Sequence, residues 1–107
     1  MNGLTVGQAA ARTGWSPRML RYVERVQLVV PARTAAGYRL YGLREVNQLR
    51  SLRDLLGRFR IGLSDVVFAA RLRREPALRE AVEAWLAGTE LGALEWEQRK
   101  HERLLAA

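Results

Sequence analysis

Two short helices, each with its own start signal and parted only by a glycine turn, constrain this chain more than any other feature. Thr5 is placed to cap a helix over Val6–Arg12, with Val6, Ala9 and Ala10 at helical spacing. Thr13-Gly14 ends it and Trp15 leads to the next start. Ser16 is a strong N-cap, and Pro17 suits the first helical position, where the N–H it lacks would have no partner anyway. The second helix, read from Ser16-Pro17-Arg18-Met19-Leu20-Arg21-Tyr22-Val23-Glu24-Arg25-Val26, is expected to run to Gln27. Two short helices joined by a turn of about three or four residues that includes Gly form a helix-turn-helix.

The second helix is two-faced. At about 100° per residue, Arg18, Arg21, Tyr22 and Arg25 share an arc of roughly 100°, and Met19, Leu20, Val23 and Val26 fall nearly opposite. One face packs. The other carries three guanidinium groups and a phenol, and is either a solvated surface or a face that meets DNA. The second helix of a helix-turn-helix commonly lies in the major groove, which favours the latter.

Downstream, Pro31 blocks helix continuation, and Arg33 to Tyr41 alternates enough for a small hairpin. Thr34-Ala35-Ala36-Gly37 is its turn, with Gly37 free to take positive φ. Tyr38 and Leu40 then point to one side, Arg39 and Tyr41 to the other, and such a hairpin beside a helix-turn-helix is a wing. A third helix is expected over Leu43–Arg58, started by Gly42 with Glu45 three residues on, with Val46, Leu49, Leu52, Leu55 and Leu56 on one face. Arg44, Arg50 and Arg53 lie away from much of that face and are read as solvated, with one or two within reach of phosphate. A fourth helix is expected over Leu63–Arg73, capped by Gly62 and ended by Pro76. The tail is rich in Ala, Leu, Glu and Arg, with a break at Gly88-Thr89. In its last helix Leu91, Leu94, Gln98, His101 and Leu105 follow 3-4-3-4 spacing, the pattern of a short antiparallel coiled-coil seam between two copies. A helix folded back on its own domain is the alternative. The fold class is therefore mainly α: a winged helix-turn-helix with a small hairpin wing over residues 1–75, and a helical tail over 76–107 with a dimerisation helix at about 89–107.

Charge follows the same division. Residues 1–75 hold 14 Arg and 5 Asp or Glu, so 14 − 5 = +9; residues 76–107 hold 4 Lys or Arg and 6 Glu, so 4 − 6 = −2. The two sum to the formal net charge of +7. A GC-rich coding bias accounts for arginine in place of lysine but not for the asymmetry, which implies a polyanionic partner for the front part.

The same composition narrows the chemistry. Zero cysteines remove disulfides and thiolate metal sites, and one histidine, His101, leaves no nucleophile–base pair to assemble. No catalytic residue, metal or cofactor is expected. There is no membrane-spanning run and no signal-peptide pattern at the N-terminus, so a cytoplasmic location is expected.

These residues resemble the MerR (mercury-resistance regulator) family of bacterial transcription regulators. Thr5-Val6-Gly7-Gln8-Ala9-Ala10 opens as members of that family do, and Gly14-Trp15-Ser16-Pro17-Arg18 makes the turn. Leu20-Arg21-Tyr22-Val23-Glu24-Arg25 stands where the family has an Arg-Tyr-Tyr-Glu run. Leu28 with Pro31-Ala32-Arg33 follows, then Gly37-Tyr38-Arg39-Leu40-Tyr41, which matches the family's wing signature. The resemblance covers residues 4–73 and is only architectural beyond. It implies a homodimer on a pseudo-palindromic promoter element in double-stranded DNA, in the nucleoid of a bacterium. Ser16, Arg18, Arg21, Tyr22 and Arg25 are then the recognition-helix residues, and Tyr38 and Arg39 the wing's phosphate contacts. Many family activators underwind an over-long promoter spacer so that RNA polymerase engages both of its elements, with DNA deformation as the switch.

Departures from the pattern carry their own expectations. Val23 stands for the second Tyr of the run, on the packing side, and Gln27 stands for the usual Gly at the helix end, a less comfortable C-cap. Trp15 replaces a small aliphatic residue; it either fills the core or lies beside the DNA backbone. Neither sensor cysteines nor an effector domain follow the dimer helix, so the effector is unknown or absent, unless the chain is a piece of a longer protein. Two other readings stand beside the regulator: an excisionase-like architectural protein that bends DNA without regulating a promoter, and an adaptor whose winged helix docks on a protein.

Overall fold

Thr5 starts the first helix as its hydroxyl predicts. In the computed structural model, which describes residues 3–88, α1 spans Val6–Thr13. The Thr5 hydroxyl accepts from the Gln8 N–H at 3.2 Å and the Gln8 side chain accepts from the Thr5 N–H at 3.0 Å, a reciprocal capping box. Gly14 closes α1 at φ +81°, its N–H donating to Ala10 O at 2.9 Å. The positive φ is what asks for glycine; a Cβ here would in addition displace the Arg53 guanidinium that lies against this turn.

The second helix, α2, spans Pro17–Arg25, with Ser16 accepting from the Met19 N–H at 3.1 Å and Pro17 in the first turn. It ends two residues before the expected Gln27. The Gln27 N–H donates to Glu24 O at 2.9 Å and the Leu28 N–H to Val23 O at 3.0 Å. That pair of bonds is a Schellman closure, and it requires the residue at Gln27 to turn left-handed, at φ +62°. Leu28 then packs on the core that holds Val23, which completes the motif's hydrophobic contact.

The wing is minimal. Strands β1 (Ala32–Arg33) and β2 (Arg39–Leu40) pair antiparallel, Ala32 opposite Leu40 and Arg33 opposite Arg39. Thr34 organises the turn: its N–H donates to Tyr38 O at 2.8 Å, its carbonyl accepts from Gly37 and its hydroxyl from the Tyr38 N–H. Gly37 takes φ +89°, as the turn demands. Beyond β2, Leu4 and Tyr41 exchange two backbone hydrogen bonds of 2.8 Å, so the segment before α1 extends the pairing.

Helix α3 spans Leu43–Phe59, and the Glu45 carboxylate accepts from the Gly42 N–H at 3.1 Å. Val46, Leu49 and Leu52 are buried on its inner face, whereas Leu55 is partly exposed. They meet Ala9 of α1, Leu20 and Val23 of α2, Val29 and Tyr41 in one core. At about 1.5–3 kcal/mol for each large apolar side chain removed from water, this cluster is the main source of stability in the region. Trp15 joins it, with Nε1 donating to Leu49 O at 2.8 Å, which settles its alternatives in favour of packing.

Helix α4 spans Leu63–Arg74, its start fixed by Asp65 accepting from the Gly62 N–H at 2.7 Å. Pro76 does not so much end α4 as begin α5, which spans Pro76–Ala87 and stops at Gly88. Proline is favoured at that first position for the same reason as Pro17. The chain divides into two compact units between Val67 and Phe68, inside α4. In the second unit Arg71 grips Glu75 through two hydrogen bonds of 2.8 and 3.2 Å. The coiled-coil seam expected on Leu91, Leu94, Gln98, His101 and Leu105 lies outside the described residues.

Candidate nucleic-acid interface

The helical wheel of α2 holds for Leu20 and Val23 but not for Met19, which was expected on the packing face and instead lies at the edge of the outward one, nor for Val26, which lies past the end of the helix as its C-cap. Leu20 and Val23 are sealed in the core, while Arg18, Arg21 and Arg25 are exposed and Tyr22 is half-buried. The valine that stands for a second tyrosine is therefore a packing residue. Arg18, Tyr22 and Arg25 line one shallow depression with Met19, and the Arg25 guanidinium sits 5.6 Å over the Tyr22 ring. That stacking holds a long side chain in place by cation–π attraction and limits the rotamer freedom it would lose on binding. Ser16 is exposed at the head of the helix with its hydroxyl already engaged by the cap.

The wing contributes Tyr38, 73% exposed at the hairpin, and Arg39, half-buried beside α2. Arg39 Nε donates to Glu24 Oε1 at 2.6 Å, and Arg33 Nη2 donates to Glu24 Oε2 at 3.1 Å. Arg33 also spans the turn, Nη1 donating to Gly37 O at 2.9 Å. One carboxylate of α2 thus holds two arginines of the wing. Sequence reading missed this clamp, because its partners lie 9 and 15 residues apart and meet only once the hairpin folds back.

Beneath the clamp Tyr41 is 1% exposed, and its hydroxyl is the one buried side-chain polar atom among the described residues without a hydrogen-bond partner. Burial raises its phenol above the ordinary value and the Glu24 charge adds to that, while Arg39, Arg33 and Arg21 act against it.

The helix-turn-helix angle has a further support that the sequence did not disclose. Arg50 Nη2 donates to Arg12 O at 3.1 Å and Arg53 Nη1 to Thr13 O at 3.2 Å. These two arginines of α3, read as solvated or phosphate-reaching, instead satisfy carbonyls left open at the end of α1. Their cationic heads also suit the negative end of that helix.

Comparison with known proteins converges on the same residues. Residues 5–41 match the family model described as MerR family regulatory protein. An HTH-type transcriptional regulator HmrR of Sinorhizobium medicae is 43% identical over 51 residues, 47% of this chain and 35% of that protein. The heavy metal-dependent transcription regulator 2 of Rhizobium meliloti is 41% identical over 51 residues, again 47% of this chain and 35% of its own length. The match thus spans about a third of these relatives. The crystal structure of the HTH-type transcriptional regulator SkgA of Caulobacter crescentus shares the fold, with a TM-score of 0.53 at 23% identity over 100% of this chain and 99% of that one. Capped helix pair, wing and family match fall on one segment: residues 5–41, which form the helix-turn-helix and the wing, are the part of the chain similar to the MerR family model.

Proposed function

We propose that the chain is a DNA-binding transcription regulator of the MerR type, acting as a homodimer on a pseudo-palindromic promoter element. The observation that carries this is the separation of faces on α2, with Leu20 and Val23 sealed inside and Arg18, Arg21 and Arg25 exposed around Tyr22. Arginine forks are matched to guanine edges and to phosphates, and a helix of this kind fits the major groove. The wing stands beside it with Tyr38 free to reach sugar and phosphate. Arg39, which gives its Nε to Glu24, keeps its Nη donors for a phosphate.

Dimerisation through Leu91, Leu94, Gln98, His101 and Leu105 would set two recognition helices on two half-sites, so a two-fold protein would require a two-fold site. Distortion of the promoter spacer, with RNA polymerase as the reader of the changed shape, is the regulatory step this reading carries. The relatives named as transcriptional regulators support it, and a cytoplasmic, nucleoid-associated location follows. One of those relatives is named for heavy metals; with no cysteine among 107 residues, thiolate sensing of a soft metal is no part of the proposal here.

Genomic DNA pull-down followed by footprinting tests the reading. A protected site with two-fold symmetry lying between promoter elements is the expected result. Failure to retain any genomic fragment at low salt contradicts it. Binding and bending with no change in transcription in vitro would favour the architectural, excisionase-like role instead.

A further inference from the structure

From the clamp between α2 and the wing we infer that Glu24 is a positioning residue for sequence selectivity. It sets the wing's register on the recognition helix and withholds wing charge from non-specific phosphate contact. The inference rests on the DNA-binding reading above and concerns how that site discriminates.

Three observations carry it. First, the hairpin is too short to place itself. Its strands are two residues each, and a two-stranded ribbon has marginal stability alone. The Leu4–Tyr41 pairing anchors the end of β2, and what ties both strands to α2 is the Glu24 carboxylate, through one donor from each, Arg33 of β1 and Arg39 of β2. Second, the carboxylate is withdrawn from water, its side chain 14% exposed, so the shorter of the two contacts is weakly screened and directional. Arg33 is tied at both ends, to Glu24 and to the turn carbonyl of Gly37, which makes the whole hairpin one rigid arm. Third, Glu24 is the sole acidic residue among the first 44, set among seven arginines of that segment. An anion in the middle of a surface built for a polyanion lowers phosphate affinity, so its presence there needs a compensating gain. Fixed geometry is that gain: a wing held in one register lets only DNA of the right groove shape satisfy helix and wing together.

The test uses the full 107-residue chain and two probes, a random-sequence duplex and the operator recovered by footprinting. Glu24→Gln keeps the shape and removes the charge. It is expected to bind the random duplex several-fold more tightly at low salt. The slope of log K against log salt should steepen by about 0.9, the value of one added phosphate contact. The operator-to-random preference should fall roughly tenfold, within the span that separates specific from non-specific binding. Glu24→Asp keeps the charge but shortens the reach. It should retain the parent's salt slope while losing operator preference, and it serves as the arm to read if Glu24→Gln folds poorly by circular dichroism. A Glu24→Gln variant weaker on both probes with an unchanged slope would show a structural brace only, and overturn the inference, as would a Glu24→Asp variant of unaltered preference. If the parent chain binds neither probe at low salt, the DNA-binding reading itself falls and takes this inference with it. That outcome is recognisable because it appears before any variant is compared.

Discussion

The region from α1 through α3 and the region of α4 and α5 use similar residues to opposite ends. In the first, leucines and valines at helical spacing meet across three helices and the wing's exit strand, and eight side chains are buried in one cluster. In the second, neither helix has a buried residue among the described ones, and Trp85 is 77% exposed. Amphipathic spacing is thus not enough to make a core. Helix starts are fixed in both regions, by Thr5 on α1 and by Asp65 on α4; what α1–α3 add is a Schellman closure after α2 and two arginines of α3 on the open carbonyls of α1. Those ends set the helix angles that let the apolar faces meet, and the same angles present the arginine face outward.

The largest expected effect tests that difference directly. Leu20→Ala, in the sealed core, should destabilise by about 2–5 kcal/mol in urea or thermal melts. Trp85→Ala, on exposed α5, should change the same melt by less than about 0.5 kcal/mol. Equal losses would mean that the two regions do not differ as described. Next in size, Arg53→Ala should cost about 1–2 kcal/mol, since it strips a carbonyl at the end of α1 of its donor in a part-buried site. Gln27→Gly should then stabilise by about 1 kcal/mol, because it relieves a left-handed residue that carries a Cβ. A loss at Gln27→Gly would show that the side chain has a role the backbone conformation does not reveal.

The smallest effect concerns the buried phenol. Tyr41→Phe removes a hydroxyl that has no partner, so stability near neutral pH should hold or rise slightly. Its pH signature is sharper. The folded-state pKa is raised above the unfolded value, so the folded form holds the proton more tightly and the contribution is fully present below the unfolded pKa. It is lost as pH rises through the folded value. Melts in alkaline buffer should therefore show the parent chain losing stability that Tyr41→Phe keeps. Parallel curves would show that the phenol ionises freely and is not desolvated.

How far the sequence could be read follows from the range of each interaction. Thr5, Gly14, Ser16, Pro17, Gly37 and Gly62 act on neighbours within about one turn of helix or hairpin, and all were legible. The two faces of α2 were legible for the same reason, since periodicity is local. The discomfort at Gln27 was visible as a missing glycine. The Glu24 clamp, the Arg50 and Arg53 donors to α1 and the Leu4–Tyr41 pairing were not, because each joins residues that only the finished fold brings together. Charge alone did not disclose that two arginines of α3, Arg50 and Arg53, each give a donor to the end of α1.

The central claim is that the outward face of α2 meets DNA. It is tested most directly by titrating duplex operator with the parent chain and with Arg21→Ala, Tyr22→Ala and Arg44→Ala across a range of salt. If the claim holds, the parent shows a steep linear fall of log K with log salt. Arg21→Ala and Tyr22→Ala each lose about 1–3 kcal/mol of operator binding, while Arg44→Ala, on the exposed side of α3, loses much less. Equal and small losses from all three substitutions would contradict it.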